Sequence, residues 1–348
     1  MNSDKSITSS RKKEHLEISL SGDVTFKTKT TGFENYDFVH DAITEVDIHK
    51  INFRTKFFGK NINYPFLISC MTGGTSEAEN VNAQLAIVAE NLNIPIGVGS
   101  QRQALENDDF VESFKIVRKN APNVPVLSNI GASQLVQFNS MNPIRKIVEM
   151  IDADALVIHV NPLQEMLQKE GETDFKGLLK SLRFIVKNLD VPVIVKEIGA
   201  GISYGAATKL LETGVKGIDV AGAGGTSWAG IEILRNTNND NYYFWDWGLP
   251  TSFCIKEVYK LKKKYKFTLI GSGGINTAAD AAKAFALGAD IVASARVILL
   301  ELQKNGIDGT QKFITSWFDT IRKIMYLTGS KSLKALRKDK IMRKDLLY

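Results

Sequence analysis

Short apolar runs alternate along the chain with longer segments whose apolar residues recur every three to four positions. The short runs read FLISC, PIGVG, VPVLSN, ALVIHV, PVIVK, GIDVAG, FTLIGSG and DIVASA, and they begin at residues 66, 95, 124, 155, 192, 217, 267 and 290. The longer segments, such as ISYGAATKLLETG, have the spacing of amphipathic helices. Two of them end in glycine, at Gly214 and Gly288, as helix C-termini often do.

This alternation predicts an α/β protein. Strands that are apolar throughout are typical of a parallel sheet covered by helices on both faces. Eight strand–helix units favour a closed (β/α)8 TIM barrel, and a doubly wound open sheet is the alternative. We expect residues 1–60 to form an N-terminal arm, residues 61–330 the barrel, and residues 331–348 a basic C-terminal helix of the same domain.

Composition narrows the class of protein. The chain has 348 residues, of which 44% are hydrophobic and 24% charged, as in ordinary soluble proteins. Apolar runs are too short to cross a bilayer, and the polar start MNSDKSITSS lacks the apolar core of a secretion signal, so we expect a cytoplasmic protein without a membrane partner. Cys70 and Cys254 stand far apart, which makes a disulfide framework or a zinc site improbable.

The net charge is concentrated at one end of the chain. The formal charge is +6, and residues 331–348 contribute +5 of it through seven Lys or Arg and two Asp. The remaining chain is nearly neutral, which argues against a nucleic-acid partner. A basic terminal helix is more typical of a solvated face or a subunit contact.

Polar or glycine-rich clusters follow every predicted strand. In chain order they read CMTGGTS, GVGSQR, SNIGAS, HVNPLQE, KEIGAGIS, AGAGGTSW, GSGGI and ASAR. Catalytic groups of (β/α)8 barrels come from the C-terminal ends of the strands and the loops after them. The clusters therefore predict an active site at that end of the barrel.

The last two clusters suggest a phosphate site. Gly271, Gly273 and Gly274 follow the seventh strand, and Ala295 and Arg296 follow the eighth. Glycine lets backbone N–H groups approach an anion closely, and a helix N-terminus favours negative charge. The alternative is that these glycines only form tight turns.

Lys196 is a cation at the end of an apolar strand. It could extend to solvent or pair with Glu197. In a half-dry pocket it could instead stabilise negative charge on a bound ring. Together with a phosphate site, this points to flavin mononucleotide (FMN), whose reduced ring is anionic. A GxGxxG motif does not follow the first predicted strand, so a dinucleotide-binding fold has no support.

The segment HVNPLQE has two compatible interpretations. Asn161 is a good N-cap, Pro162 suits the first helical position, and Gln164 stands where a capping-box partner would be. Capping gives no reason for Glu165 at a strand end. Mg²⁺ takes oxygen ligands and often only one or two protein carboxylates, so a single Glu165 could bind it.

Seven motifs, in order, identify a family resemblance. RKKEH at 11, MTGG at 71, GSQR at 99, HVNPLQE at 159, KEIGAGIS at 196, AGGTSW within AGAGGTSW at 221 and GSGGI at 271 resemble the type 2 isopentenyl-diphosphate delta-isomerases. The resemblance runs from Arg11 to about Leu333. It implies an FMN-dependent barrel that interconverts isopentenyl and dimethylallyl diphosphate in isoprenoid biosynthesis. It also implies NADPH as the flavin reductant, Mg²⁺, reduced-flavin N5 as acid and base, no net redox change, and a tetramer or octamer.

The resemblance assigns roles to individual residues. Those implied for the flavin are Met71, Thr72, Gly73, Ser100, Asn129, Lys196 and Thr226, with Gly273, Gly274, Ala295 and Arg296 at its phosphate. Those implied for the substrate are Arg11, Lys12, His15, Ser100, Arg102, Asn161, Gln164 and Trp228. Gln164 and Lys196 are the implied catalytic residues, and Glu165 the implied Mg²⁺ ligand. By composition alone, RKKEH could be only a basic helix start, and the role of His159 stays open.

Two further expectations complete the sequence picture. Residues 231–250 are long for a loop and predict a lid or a disordered segment. The rival function is an FMN-dependent 2-hydroxy-acid oxidase or dehydrogenase, which needs a catalytic histidine near the later strands. The four histidines are His15, His40, His49 and His159, so none follows the fifth strand. A nonenzymatic phosphate-binding barrel is disfavoured by the polar set at the strand ends.

Overall fold

The computed structural model describes residues 14–15, 17–19, 23–236 and 241–346. Its strands are β1 (Tyr36–Phe38), β2 (Thr55–Phe57), β3 (Lys60–Ile62), β4 (Phe66–Ile68), β5 (Ile96–Gly97), β6 (Val126–Gly131), β7 (Ala155–His159), β8 (Val193–Lys196), β9 (Gly217–Asp219), β10 (Thr268–Gly271), β11 (Ile291–Ser294) and β12 (Ile341–Arg343). Its α-helices span Ser76–Leu92, Arg102–Glu106, Glu112–Asn120, Ala132–Leu135, Asn142–Met150, Pro162–Leu167, Leu178–Asn188, Tyr204–Leu211, Trp228–Arg235, Thr251–Tyr259, Ala278–Leu287, Arg296–Leu327 and Leu333–Leu336.

Strands β4 to β11 form a closed parallel barrel. Each strand pairs with the next in sequence, and β11 closes the barrel against β4 with Val292 opposite Phe66. Seven of the eight strands fall within the apolar runs predicted from the sequence, and β6 extends two residues beyond its run, to Gly131. The predicted (β/α)8 fold is therefore confirmed.

Alternate strand residues fill the inside of the barrel, because residues two apart on a strand face the same side. The interior cluster contains Leu67, Leu127, Ala155, Val157, Ile194, Ile270, Ile291 and Ala293. Phe57 and Ile62 of the β2–β3 hairpin join this cluster and are almost fully buried. The hairpin thus closes the end of the barrel opposite the polar strand ends.

Helix termini show the signals read from the sequence. Thr277 caps the helix Ala278–Leu287, with its hydroxyl accepting the Asp280 N–H and the Asp280 carboxylate accepting the Thr277 N–H, a full capping box. Gly288 is the C-cap of the same helix at φ 129°, as predicted. These caps fix where each helix leaves the neighbouring strand.

The prediction of one basic C-terminal helix is wrong in detail. Residues 331–346 form the short helix Leu333–Leu336, the strand β12 and a 3-10 turn, and β12 pairs antiparallel with β1. Asp339 has φ 54°, a left-handed conformation that interrupts a helix. Arg337 donates to the Phe285 carbonyl and forms an ion pair with Asp290, so this basic segment is anchored to the barrel.

The segment 231–250 is not the long loop expected. Its first five residues complete the helix Trp228–Arg235, and Asn241–Phe244 form a 3-10 helix, while residues 237–240 lie outside the described part. Trp245 is buried, and its indole N–H donates to the Thr25 carbonyl at 2.8 Å. Among the described helices, none combines the length and apolarity needed to cross a membrane.

Candidate active site

A cavity of ≈ 360 Å³ opens at the C-terminal ends of the barrel strands. The predicted site residues that line it are His15, Met71, Thr72, Lys196, Thr226, Trp228, Gly273, Gly274, Ala295 and Arg296. Its size falls within the range of ~300–1,000 Å³ usual for ligand pockets. The structure therefore brings most of the residues predicted for the flavin into one pocket.

A polar layer near the strand ends follows from strand periodicity, and Ser69, Lys196 and Ser272 of this layer line the cavity. Ser69, Asn129, His159, Lys196 and Ser272 each stand two positions after an apolar residue of the barrel interior, namely Leu67, Leu127, Val157, Ile194 and Ile270. Residues at that spacing face the same side. The interior thus changes from apolar to polar one layer before the strands end.

Lys196 is paired with a residue of the next strand. Asp219 is its register partner on β9, and the Lys196 Nζ lies 3.6 Å from Asp219 Oδ2. Ser272 donates to the other carboxylate oxygen of Asp219 at 2.5 Å. Sequence reasoning missed Asp219 because it lies within an apolar run, but its position two residues after Gly217 on the inward face is a usable signal.

The expected alternative of a Lys196–Glu197 salt bridge is wrong. Consecutive strand residues face opposite sides, so the Glu197 carboxylate points away from the ammonium. It accepts the backbone N–H groups of residues 198–200 at 2.6–2.7 Å, while the Lys196 Nζ reaches only the Glu197 carbonyl at 2.8 Å. Burial raises the pKa of the Glu197 carboxyl against the opposing effect of these N–H donors.

The glycines after β9 and β10 allow two loops to pack closely. Gly273 has φ 96°, and a Cβ there would stand 2.1 Å from the Gly222 carbonyl oxygen. Both loops line the cavity together with Ala295 and Arg296, the first residues of the helix Arg296–Leu327. The turn interpretation and the phosphate interpretation of these glycines are therefore compatible. Arg296 Nε also donates to the Ser19 carbonyl at 2.6 Å, which ties the arm to this end of the cavity.

Three residues predicted for the flavin do not line the cavity. Gly73 packs against Phe114, whose ring a Cβ would overlap. Asn129 is buried; its amide donates to the Val98 carbonyl and its Oδ1 accepts from His159 Nδ1 at 2.9 Å. Ser100 follows β5 next to Gln101, whose side chain accepts the Asn129 N–H. The sequence left the role of His159 open, and in the structure its ring contacts the Asn129 side chain.

The prediction that the Asn161 side chain caps its helix is wrong. Asn161 occupies the N-cap position, but no backbone N–H donates to its side chain. Its amide instead donates to Gln164 Oε1 and to Glu165 Oε1, both at 2.9 Å. Two acceptor partners fix the amide orientation and leave Oδ1, in a residue only 3% exposed, without a partner. A buried acceptor of this kind is expected to bond to something the chain does not supply.

Glu165 stands beside that unpartnered oxygen. Its Oε2 accepts the Glu172 N–H at 2.8 Å, and the carboxylate is buried. The described residues contain no group of three or more His, Cys, Asp or Glu that could hold a metal alone. Oxygens of one carboxylate and one amide do fit Mg²⁺, which keeps waters and phosphate oxygens as its other ligands.

Glu232 is the residue that sequence reasoning missed most clearly. Its Oε1 lies 2.9 Å from the Gln164 amide nitrogen and 2.8 Å from His15 Nε2, and its Oε2 accepts from Arg235 at 2.6 Å. The side chain is fully buried. Burial opposes its ionisation, yet the bonds from His15 and Gln164 and the Arg235 charge hold the pKa of this carboxyl below its ordinary value. A glutamate within the buried run AGIEI of the helix Trp228–Arg235 is the sequence signal for it.

The arm approaches the mouth of the cavity through two residues. His15 packs edge-on against Trp228, with ring centroids 5.4 Å apart, and Glu14 accepts from Arg235 at 3.0 Å. His15 and Trp228 both line the cavity. The cluster formed by Glu232 with His15, Gln164 and Arg235 therefore adjoins it. Arg11 and Lys12, predicted to bind the diphosphate, lie outside the described residues.

Arg102, another of the residues predicted to bind the diphosphate, does not line the cavity. Its Nε donates to Glu106 Oε1 at 2.8 Å, and its Nη2 lies 2.9 Å from Glu172 Oε1. Both carboxylates raise the pKa of the guanidinium against the effect of burial. Arg102 therefore lies on the Glu165 side of the site, next to Glu172.

Comparisons with known proteins agree with this geometry. A family model described as FMN-dependent dehydrogenase matches residues 5–113 and 123–343. The isopentenyl-diphosphate delta-isomerase of Pelodictyon phaeoclathratiforme is 43% identical over 97% of this chain and 98% of its own. The proteins of the same name from Chlorobium luteolum and Nostoc sp. are 44% and 42% identical, over 96% of this chain and 95% and 96% of theirs.

Solved structures show the same fold at low identity. A lactate oxidase of Pediococcus acidilactici superimposes with a TM-score of 0.72 at 15% identity, covering 97% of this chain and 94% of its own. A flavocytochrome b2 variant with sulfite bound gives a TM-score of 0.69 at 19% identity, over 94% of this chain and 82% of its own. At these identities the likeness establishes the barrel fold alone.

Proposed function

The chain belongs to the FMN-dependent dehydrogenase family and, within it, to the isopentenyl-diphosphate delta-isomerases, and we propose that it interconverts isopentenyl and dimethylallyl diphosphate using reduced FMN and Mg²⁺. One observation carries the proposal: a buried cluster of Gln164, Glu232 and His15 adjoins a cavity lined by Lys196 and two glycine-rich loops. That arrangement combines an anion-binding pocket with polar side chains held in a dry environment.

FMN fits the residues of the cavity. Gly273, Gly274, Ala295 and Arg296 would hold the phosphate, because their backbone approaches closely and a long helix begins there. Met71, Thr72 and Thr226 line the rest of the pocket. Reduced FMN, when bound, would supply the acid and base that add and remove the proton during the double-bond shift.

Lys196 would place its positive charge beside the flavin ring. Its ammonium is fixed by Asp219 and by the Glu197 carbonyl, so the charge is already oriented before anything binds. A fixed charge in a pocket that excludes water stabilises a bound anion more than a mobile one in solvent does.

Gln164 would orient the alkene end of the substrate. Its Oε1 is occupied by Asn161 and its Nε2 by Glu232, so the amide is held on both sides. Trp228 and Met71 line the pocket with apolar surface suited to a prenyl chain. The protein would thereby contribute orientation and exclusion of water.

The diphosphate would bind on the Glu165 side of the site. Glu165 and the unpartnered Oδ1 of Asn161 are the oxygens available to a Mg²⁺ ion that also contacts phosphate oxygens. Arg102 would supply positive charge from the barrel, and Arg11, Lys12 and His15 would supply it from the arm. Ser100, near Arg102, would add a hydroxyl donor.

Several finer assignments follow from the family resemblance. We propose NADPH as the reductant that prepares the flavin, a homotetramer or homo-octamer as the assembly, and the cytoplasm as the location. The isoprenoid pathway is the expected context of the reaction, since both diphosphates are five-carbon isoprenoid units.

The experiment that tests the proposal is anaerobic conversion of isopentenyl diphosphate by the purified protein with FMN, NADPH and Mg²⁺. We expect dimethylallyl diphosphate to form, and its formation to stop when NADPH is omitted or Mg²⁺ is chelated. Product that forms equally well without reduced flavin would contradict the cofactor assignment. A protein that binds reducible flavin but forms no product would contradict the substrate.

A further inference from the structure

Glu172 lies between two residues of the proposed diphosphate site that come from different elements. It belongs to the segment after the helix Pro162–Leu167, whereas Arg102 begins the helix Arg102–Glu106 after β5. No motif in the sequence analysis singled it out. Its contacts join the cationic and the acidic parts of that site.

The backbone of Glu172 is fixed against Glu165. Its N–H donates to Glu165 Oε2 at 2.8 Å. The preceding residue is Gly171, where a Cβ would stand 1.7 Å from the Glu165 carbonyl oxygen. Only glycine permits so close an approach, so the chain returns over the helix and places Glu172 beside the carboxylate.

The side chain of Glu172 is fixed against Arg102. Oε1 lies 2.9 Å from Arg102 Nη2, and Oε2 accepts from Gln134 Nε2 at 2.7 Å. Gln134 is itself buried, at 7% exposure. Both oxygens of the Glu172 carboxylate are therefore engaged, one by the Arg102 guanidinium and one by the Gln134 amide.

The guanidinium of Arg102 is thereby held by two carboxylates. Glu106 takes Nε and Glu172 takes Nη2, which leaves Nη1 without a partner among the described residues. A guanidinium plane fixed along one edge presents its remaining donors in one direction. Without Glu172, the side chain, which is 30% exposed, would keep only the contact of its Nε with Glu106.

We infer that Glu172 is a positioning residue that fixes the Arg102 guanidinium and the Glu165 carboxylate in one frame, so that a diphosphate with its Mg²⁺ can contact both. The inference rests on the proposed function of the site. The side chain acts through Arg102, and the backbone N–H acts on Glu165.

The test compares Glu172→Gln with Glu170→Gln. Glutamine keeps the size and the backbone N–H of residue 172, but it removes the negative charge that the Arg102 guanidinium contacts. Glu170 is exposed on the same segment and undergoes the same change of charge, so it is the matched control. We expect Glu172→Gln to raise the Michaelis constant for isopentenyl diphosphate ~10-fold, as loss of one charged hydrogen bond does. Turnover at saturation and FMN content should stay close to those of the parent protein and of Glu170→Gln.

A second readout does not require turnover. The affinity of the flavin-loaded protein for inorganic pyrophosphate with Mg²⁺ should fall by the same factor in Glu172→Gln. In an Arg102→Ala background, Glu172→Gln should have no further effect on that affinity, because its charge acts through Arg102. A Glu172→Asp variant, which keeps the charge, covers the case in which Glu172→Gln fails to fold, and its affinity should lie nearer that of the parent.

Two results would overturn the inference. One is an unchanged Michaelis constant and pyrophosphate affinity in folded, flavin-loaded Glu172→Gln. The other is tighter binding, which would mean that the carboxylate competes with the diphosphate for Arg102. Failure of the parent protein to isomerise the substrate would instead contradict the proposed function, and the pyrophosphate measurement would still decide the role of Glu172.

Discussion

At the scale of single residues, the site combines side chains that strand periodicity predicts with side chains that it does not. Lys196 and Ser272 could be predicted to face the cavity, because each follows an interior apolar residue by two positions. Strand periodicity gives no signal for Glu232 or Glu172, since one lies on a helix and the other in a loop whose path depends on tertiary packing. The capping prediction for Asn161 is wrong because its amide donates to the side chains of Gln164 and Glu165.

Lys196→Ala tests the charge beside the flavin. The Lys196 Nζ lies 3.6 Å from Asp219 Oδ2, so its removal leaves the negative charge of Asp219 uncompensated. The site should then repel an anionic ring. We expect FMN affinity to fall by ~10-fold or more, with turnover falling too. Flavin titration of the apoprotein measures the first effect, and Lys209→Ala, at an exposed lysine on the outer helix Tyr204–Leu211, is the control for loss of a positive charge. Full flavin content with near-normal activity would exclude this role for Lys196.

Glu232→Gln tests the buried cluster. The amide keeps the shape of the carboxylate but removes the charge that His15 and Arg235 contact. Gln164 and His15 should then lose their fixed orientation, and we expect turnover to fall on the order of 10–100-fold with FMN content unchanged. Glu212→Gln, an exposed change of the same kind, should leave turnover intact. Equal turnover in the two variants would show that the cluster has no part in the reaction.

At the scale of elements, the arm and the hairpin perform different tasks at the two ends of the barrel. The β2–β3 hairpin fills the closed end with Phe57 and Ile62, which the sequence analysis assigned only to an arm. Glu14 and His15 bring the arm to the open end. The barrel strands could be predicted since each is a continuous apolar run. The C-terminal segment forms a short helix and the strand β12 instead of one helix because β12 pairs with β1, a long-range contact.

Lys12→Ala tests the arm as a substrate-binding element. Lys12 stands two residues before Glu14, whose contact with Arg235 holds the arm at the cavity mouth. We expect the Michaelis constant for isopentenyl diphosphate to rise ~10-fold, because one charge contact with the diphosphate is lost, and FMN content to stay the same. Lys5→Ala, earlier in the arm, serves as the control. If Lys12→Ala leaves the Michaelis constant at the parent value, Lys12 does not contact the diphosphate.

Asp154→Asn tests a charge cluster that joins three elements. Its carboxylate lies 2.7 Å from both Lys60 of the hairpin and Arg118, and it accepts the Val126 N–H of β6 at 2.9 Å. We expect a loss of about 1.5–3 kcal/mol in the free energy of unfolding, measured in urea at pH 7. Burial opposes ionisation, yet these partners hold the pKa of Asp154 below its ordinary value. The stabilisation is therefore present above the pKa of the unfolded chain and is lost as pH falls through the folded pKa, so the two proteins should converge in strong acid. If the free energies of unfolding of the two proteins still differ in strong acid, the charge of Asp154 is not the cause of the stabilisation.

At the scale of the whole molecule, one barrel fold is shared by enzymes with different reactions. The lactate oxidase and flavocytochrome b2 structures share the barrel at 15% and 19% identity, so function depends on the residues at the strand ends. A 2-hydroxy-acid oxidation needs a basic histidine near the later strands, and the sequence has none after His159. The buried Gln164–Glu232 pair is instead the feature on which the proposed isomerisation depends.

The proposed isomerisation is tested most directly by the number of dimethylallyl diphosphate molecules formed per NADPH consumed. Purified protein would be supplied anaerobically with FMN, Mg²⁺, isopentenyl diphosphate and a limiting amount of NADPH. We expect far more than one product molecule per NADPH, because the flavin is reduced once and the proposed isomerisation causes no net redox change. A ratio of one would contradict a redox-neutral isomerisation that reuses the reduced flavin. Consumption of NADPH without any product would indicate an FMN oxidoreductase with a different substrate.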